Sequence, residues 1–202
     1  MHGLVLAAGA GSRFGGRKLH VLYRGRPLLA HALAPVEAAC ASGLLDGGHV
    51  VIAAHDDDAL TLAREAGLRA ITNGAPHLGL SRSLRLGLES LQEDDRIAAA
   101  MVFLGDQPQV RIEVVEQLIQ AWHRGGSSMM RPRYAAQSAV PGHPVLLSRA
   151  IWQCASPLEG DTGFGALPAS SLDMVLVDVP GDNPDVDTPA DLQGLKECGV
   201  AE

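Results

Sequence analysis

Leu4-Val5-Leu6-Ala7-Ala8-Gly9-Ala10-Gly11-Ser12-Arg13-Phe14-Gly15-Gly16-Arg17-Lys18 is the stretch that decides the fold of this chain. Its first part, the apolar run Gly3 to Ala8, has the length of a buried strand. The run breaks into a loop with glycines at 9, 11, 15 and 16, where backbone can close around a ligand because side chains are small or absent. Arg13, Arg17 and Lys18 add positive charge to that loop, and no acidic residue offsets it. A strand that empties into a cationic, glycine-rich turn is built to receive phosphates.

Three phosphate loops compete for the stretch. A Walker loop needs Gly-Lys followed by Ser or Thr, whereas Lys18 follows Arg17 and precedes Leu19. A dinucleotide fingerprint needs Gly-x-Gly-x-x-Gly; Gly9, Gly11 and Gly15 miss that spacing by one residue, and Arg13 would project into the space of the pyrophosphate. The nucleotidyltransferase signature Leu-x-Ala-Gly-x-Gly-x-Arg-x-Gly-x-x-Lys fits Leu6 to Lys18 throughout. On that reading Leu6, Ala7, Ala8, Gly9, Gly11 and Ser12 line a nucleotide, while Arg13 and Lys18 act on its phosphates.

Around the loop, 202 residues suit one globular domain spanning 1–202. Aromatic residues are only 3%, so the core is aliphatic and stacking platforms for single-stranded nucleic acid are not expected. A net charge of −7 argues against a polyanionic duplex as partner. Cys40, Cys154 and Cys198 are far apart and read as isolated reduced thiols of a cytoplasmic protein. No apolar run reaches membrane-spanning length.

The rest of the chain alternates strand and helix patterns. Leu19 to Arg26 reads as irregular, followed by a helix from Pro27 to about Ala41 that Pro35 should kink. Strands are expected at His49–Ala54, Leu68–Thr72, Ile97–Leu104 and Met174–Val179, with weaker ones at Ser128–Arg133 and Pro144–Leu147. Helices are expected at Asp56–Gly67 (capped by Asp56 or Asp57), Ser81–Leu91, Val110–His123, Ser148–Cys154 and Pro189–Glu197, with a loop over Asn73–Gly79. The pattern implies an α/β, Rossmann-like, doubly wound and mostly parallel mixed sheet with helices on both faces.

In such sheets ligands lie beyond the carboxyl ends of the strands. Asp106, in Gly105-Asp106-Gln107-Pro108, ends the strongest strand and offers an oxygen ligand suited to magnesium. Asp185-Val186-Asp187-Thr188-Pro189 is a second acidic site. Alternation puts Asp185 and Asp187 on one side, and Asp187 is either the second metal ligand, with Asp185 as substitute, or a plain helix cap. Ser81 and Ser83 can donate to a sugar or base edge, or cap a helix. Arg82 and Arg85 read equally as anion contacts or solvated cations. No catalytic triad can be assembled, since His143 has no serine or cysteine partner in the pattern.

The ordered set of these segments resembles the nucleotidyltransferases of molybdenum-cofactor maturation, and within them the CTP:molybdopterin cytidylyltransferases. Leu6–Gly15 with Lys18, Gly79-Leu80-Ser81-Arg82-Ser83-Leu84 with Gly87-Leu88, Gly105-Asp106-Gln107-Pro108, Gly142-His143-Pro144-Val145, Gly160-Asp161-x-Gly163 and Asp185-Val186-Asp187-Thr188-Pro189-x-Asp191-Leu192 carry the resemblance. It implies Mg2+ on Asp106 and Asp187, and transfer of CMP from CTP to the terminal phosphate of molybdopterin. It also implies an acceptor side near His143, Gly160 and Asp161, and a molybdenum hydroxylase as eventual partner. Guanylyl-transferring relatives usually read Leu-Ala-Gly-Gly in the loop; Ala8 replaces the second glycine and narrows the base pocket toward a pyrimidine. GTP, another small phosphorylated acceptor, and a cofactor-binding chaperone are the alternatives.

Overall fold

The computed structural model describes residues 1–198 except 10, 12, 13, 15, 126 and 168–171, with side chains through 195. Nine strands and five α-helices are found among the described residues: β1 (His2–Ala7), β2 (Leu22–Tyr23), β3 (Arg26–Pro27), α1 (Leu28–Ala41), β4 (Gly47–Ala53), α2 (Asp57–Glu65), β5 (Arg69–Asn73), α3 (Leu80–Gln92), β6 (Ala99–Leu104), α4 (Ile112–Arg124), β7 (Met129–Tyr134), β8 (Val145–Ser148), β9 (Met174–Val179) and α5 (Pro189–Cys198). Seven strands form one sheet in the order β5-β4-β1-β6-β8-β7-β9. β8 runs antiparallel to both its neighbours, and the remaining pairs are parallel.

Strand alternation builds two cores. Val5 and Ala7 face one side with Val50 and Ile52, and there they meet apolar residues of α1, α2 and α4, including Leu29, Leu33, Ala59, Val114 and Leu118. Leu4 and Leu6 face the other side and meet Leu84, Leu88 and Leu91 of α3 together with Trp152. Both faces of β1 are therefore sealed, as a central parallel strand requires. The order reverses at β1: β4 and β5 lie on one side of it, and β6 on the other. The crevice at the carboxyl ends of β1 and β6 is the topological switch point where such sheets bind ligands.

Four local expectations change. Lys18–His20 is a 3-10 turn, and β2 and β3 pair as a small hairpin where irregular chain was expected. Its turn residues Arg24 and Gly25 both have positive φ, 47° and 77°. That is the primed geometry favoured by strand twist, but Arg-Gly is a weaker sequence signal for it than Asn-Gly. α1 runs through Pro35 as one 14-residue helix, with Pro35 on its buried face. Arg149–Ala155 is 3-10 rather than α-helical. Asp56 caps α2, its carboxylate accepting from the Ala59 N–H at 3.0 Å.

Candidate active site

The glycine loop leaves β1 at Ala7. Gly11 has φ +58°, and a Cβ there would stand 2.9 Å from the Lys18 Cβ. The loop thus folds its own stem against Lys18, and any larger residue would push that side chain out. Phe14 and Gly16 both donate backbone N–H bonds to the Gly11 carbonyl, at 2.9 and 3.1 Å. Ser12 and Arg13, expected to bind nucleotide, lie outside the described residues.

Lys18 has only 9% of its surface exposed. Its ammonium donates to Asp106 Oδ2 at 2.8 Å and to Asp187 Oδ1 at 3.1 Å. Burial pulls the lysine down, but the charges and hydrogen bonds of Asp106 and Asp187 outweigh it and hold the group above its ordinary value. The three residues come from segments 88 and 169 positions apart.

The carboxylates are set by two devices. The Gly105 N–H donates to the Leu6 carbonyl at 2.9 Å, which continues the β1–β6 pairing and brings Asp106 beside the loop. Val186, fully buried between Tyr23, Leu28, Leu192 and Leu195, donates its N–H to the Asp106 carbonyl at 3.0 Å. With Val186 turned inward, Asp185 and Asp187 both face the crevice and both line it. Asp187 is not the helix cap. Thr188 and Asp191 form the cap reciprocally, Asp191 Oδ2 accepting from the Thr188 N–H at 2.7 Å and Thr188 Oγ1 accepting from the Asp191 N–H at 3.3 Å.

Gln107 and Asn183 were not expected to matter. Gln107 donates to Asp185 Oδ1 at 2.7 Å and accepts from Asn183 Nδ2 at 2.9 Å, which locks the two acidic turns together. Burial raises the Asp185 pKa, and Asp106 and Asp187 raise it further against the opposing hydrogen bond from Gln107. A cleft of about 560 Å³ opens over this group, lined by Leu6, Ala7, Ala8, Gly9, Gly11, Lys18, Gly79, Ser83, Asp106, Asp161, Asp185 and Asp187 among others.

The cleft's opposite wall is the start of α3. Gly79 has φ +89°, and a Cβ there would fall 2.2 Å from the Gly160 carbonyl carbon, so only glycine allows the two loops to meet. The Leu80 N–H donates to Asp161 Oδ1 at 3.2 Å, and the Ser81 N–H to the Gly160 carbonyl at 3.0 Å. Asp161 is thereby placed in the cleft. Ser83 lines the cleft, and its Oγ accepts from Asn73 Nδ2 at 3.0 Å, which turns its own proton away from Asn73. Asn73, fully buried at the end of β5, also accepts from Arg82 Nε at 3.1 Å.

Three expected contacts are arranged differently. Ser81 is 1% exposed and is not among the cleft-lining residues. Arg82 and Arg85 are half-buried and donate to protein groups: Arg82 to Asn73 and Arg85 to the Leu158 carbonyl at 2.5 Å. His143 is also absent from the cleft lining. Desolvation, reinforced by Arg131, pushes its pKa down to about 3, and its carbonyl accepts from Tyr134 Oη at 2.8 Å. Desolvation thus keeps this half-buried ring neutral. Asn73, Gln107 and Asn183 escaped the sequence reading because amides have no signature spacing; the one available signal was position, at the carboxyl ends of strands.

Two hard carboxylate oxygens converging on one ammonium are also a donor set that fits a small divalent cation, which takes its remaining ligands from water and phosphate. Among the described residues no group of three His, Cys, Asp or Glu side chains could hold a metal by itself. No helix among them is long and apolar enough to cross a membrane.

A family model described as a MobA-like NTP transferase domain matches residues 3–175. The probable molybdenum cofactor guanylyltransferase of Thermococcus gammatolerans is 30% identical over 151 residues, covering 73% of this chain and 70% of that protein. Rv0371c of Mycobacterium tuberculosis H37Rv superposes with a TM-score of 0.77 at 27% identity, over 98% of both chains. Its complex with manganese gives 0.76 at 26% identity over 97% of both. CMP:2-keto-3-deoxy-manno-octonic acid synthetase complexed with CTP, at 18% identity and a TM-score of 0.74 over 98% of this chain and 97% of that one, shares the fold.

Proposed function

The chain belongs to the MobA-like NTP transferase family, and from that membership we propose that it moves CMP from CTP onto the terminal phosphate of molybdopterin, bare or metal-loaded. The observation that carries the reading is the meeting of Lys18 with Asp106 and Asp187 at the foot of the glycine loop. The acceptor class is supported by the Thermococcus relative, whose name specifies the molybdenum cofactor. The choice of CTP rests on Ala8, which is 3% exposed and lines the cleft; its methyl group narrows the space a purine would need.

An oxygen of the acceptor phosphate attacks the α-phosphorus of CTP in line. The new P–O bond forms as the bond to the β-phosphate breaks, and the electron pair leaves with pyrophosphate. A phosphate monoester is anionic at neutral pH and needs no general base, consistent with a neutral His143 outside the cleft lining. The protein's work is to bring two anions together and neutralise charge moving to the leaving group. Lys18 supplies a cation for that charge, joined by Arg13 from its signature position. Asp106 and Asp187 would hold a divalent cation, Mg2+ in this proposal, which would supply charge neutralisation to the phosphates; that Rv0371c forms a complex with manganese supports the use of a divalent ion. In this reading Ser83, which lines the cleft, presents a hydroxyl to the nucleoside, and Gly160 and Asp161 border the acceptor.

Pyrophosphate release measured with each nucleoside triphosphate, with and without molybdopterin, tests the reading. Release with CTP and molybdopterin is expected, at least about tenfold faster than with GTP, the scale of a one-group difference in a base pocket. Equal or faster release with GTP would overturn the base assignment, and the Thermococcus relative's guanylyl activity would then be the better guide. Tight binding of molybdopterin with no pyrophosphate from any nucleotide would identify a carrier instead.

A further inference from the structure

Lys18 occupies the position between two carboxylates that a divalent cation would take. Its ammonium spans Asp106 Oδ2 and Asp187 Oδ1 at 2.8 and 3.1 Å, so one positive charge already fills the space between them. Asp185 stands in the same cleft, and its carboxylate is held by Gln107 rather than by a cation. If Lys18 left with nothing replacing it, Asp106 and Asp187 would lose a charge partner while standing close together, which is unfavourable. If a divalent ion entered with Lys18 still in place, two cations would contend for the same oxygens. The arrangement therefore has two mutually exclusive occupants.

The stem of Lys18 is fixed, packed against Gly11, while its ammonium is carried on a flexible chain with three rotatable donors. Gly9 and Gly11 line the cleft next to it, and a phosphate brought there would be its alternative anion.

We propose that Lys18 is a place-holder that neutralises Asp106 and Asp187 until a divalent cation and a nucleotide arrive together. The nucleotide draws the ammonium onto its phosphates, and the carboxylates are released to the metal. This rests on the nucleotidyltransferase reading for the identity of the anion, but not for the exchange at the carboxylates. Metal alone binds weakly, because it must displace the lysine with no anion to receive it. Metal and nucleotide favour each other reciprocally, as any coupling through one two-state element must.

The test uses the full-length protein without nucleotide. Mn2+ binding, read from the loss of free Mn2+ signal in electron paramagnetic resonance, is compared between wild type and Lys18→Met, which keeps the stem and removes the charge. Lys18→Met should bind Mn2+ about tenfold tighter or more, within the usual range of coupling energies, and Asp106→Asn in the same background should abolish the gain. Equal or weaker Mn2+ binding by Lys18→Met, or no measurable binding by either protein, overturns the proposal. A second measurement needs no variant. The chain has two lysines, Lys18 and Lys196, so amine-reactive labelling can be followed at each by mass spectrometry. Mg2+ raised until it occupies the site without nucleotide should raise the labelling rate of Lys18 relative to Lys196, and an unchanged ratio at full Mg2+ occupancy would sink the idea. Neither experiment depends on turnover. Release of pyrophosphate without a Lys18→Met gain would refute only the place-holder, and a gain without pyrophosphate release would refute only the transferase.

Discussion

The two ends of the sheet each bury an ionisable group to a similar depth and treat it in opposite ways. At the carboxyl end Lys18, 9% exposed, stays charged because Asp106 and Asp187 meet it. At the amino end His49, 8% exposed, packs edge-on against His2 and shares a 3.2 Å hydrogen bond between its Nδ1 and the Ser90 hydroxyl. Burial, with Arg69 and His2 adding to it, pushes the His49 pKa down to about 4. Desolvation acts on both groups in the same direction, and the sign of their neighbours decides whether each keeps its proton. The carboxyl end opens into a cleft, and the amino end does not border it. One cluster is poised to exchange charge with a ligand, and the other is held neutral at the closed end of the sheet.

The largest expected effect that would break this contrast is at Asp106. Asp106→Asn should lower the rate of pyrophosphate release by about 10³-fold, the upper scale for removing one transition-state charge contact, while unfolding within a few degrees of wild type. Near-normal release from a folded Asp106→Asn would end its assignment to the site.

The amino end makes the next prediction. His49 is neutral in the fold down to about pH 4 and titrates near 6.5 when unfolded, so between those values the unfolded chain binds the extra proton. Stability is therefore complete above pH 6.5 and falls as pH drops, by about 1.4 kcal/mol per unit for this one group. His143, held down to about 3, adds in the same direction. Urea titrations from pH 7 to 4.5 should show this loss, and His49→Gln should flatten part of it; an unchanged slope in that variant would mean the histidine is not held neutral.

Smaller effects sharpen the carboxyl end. Ser83→Ala should raise the KM for nucleotide about tenfold by removing a hydroxyl contact of ordinary strength, with kcat nearly kept; a loss confined to kcat would place Ser83 elsewhere in the reaction. Thr188→Ala should cost about 1 kcal/mol of stability, the usual value of a helix cap. It should also weaken Mn2+ binding a few-fold through Asp187. Full retention of metal affinity would show that Val186 alone positions the acidic turn.

Much of the site was readable in the chain because charge and glycine are local facts. The loop from Gly9 to Lys18, Asp106 at the end of its strand, and the same-side placement of Asp185 and Asp187 follow from composition and period-two alternation. Ser81 and Ser83 could not be told apart in the sequence, because serines two positions apart on a helix point in different directions and only packing selects Ser83 for the cleft. Arg82 and Arg85 could not be assigned because their partners, Asn73 and the carbonyl of Leu158, lie in other segments.

The sequence by itself determined the alternating strands, the two-faced core and a cationic loop at the end of β1, since these depend on hydrophobic period and on residues close together in the chain. Tertiary structure alone decided that Lys18 would rest between Asp106 and Asp187, and that Gln107 would join the two acidic turns through Asp185. Those are contacts across 78 to 169 residues, and no local preference specifies which distant oxygen a cation will find. The closure of the sheet does that, by bringing the ends of β1, β6 and the acidic turn to one crevice.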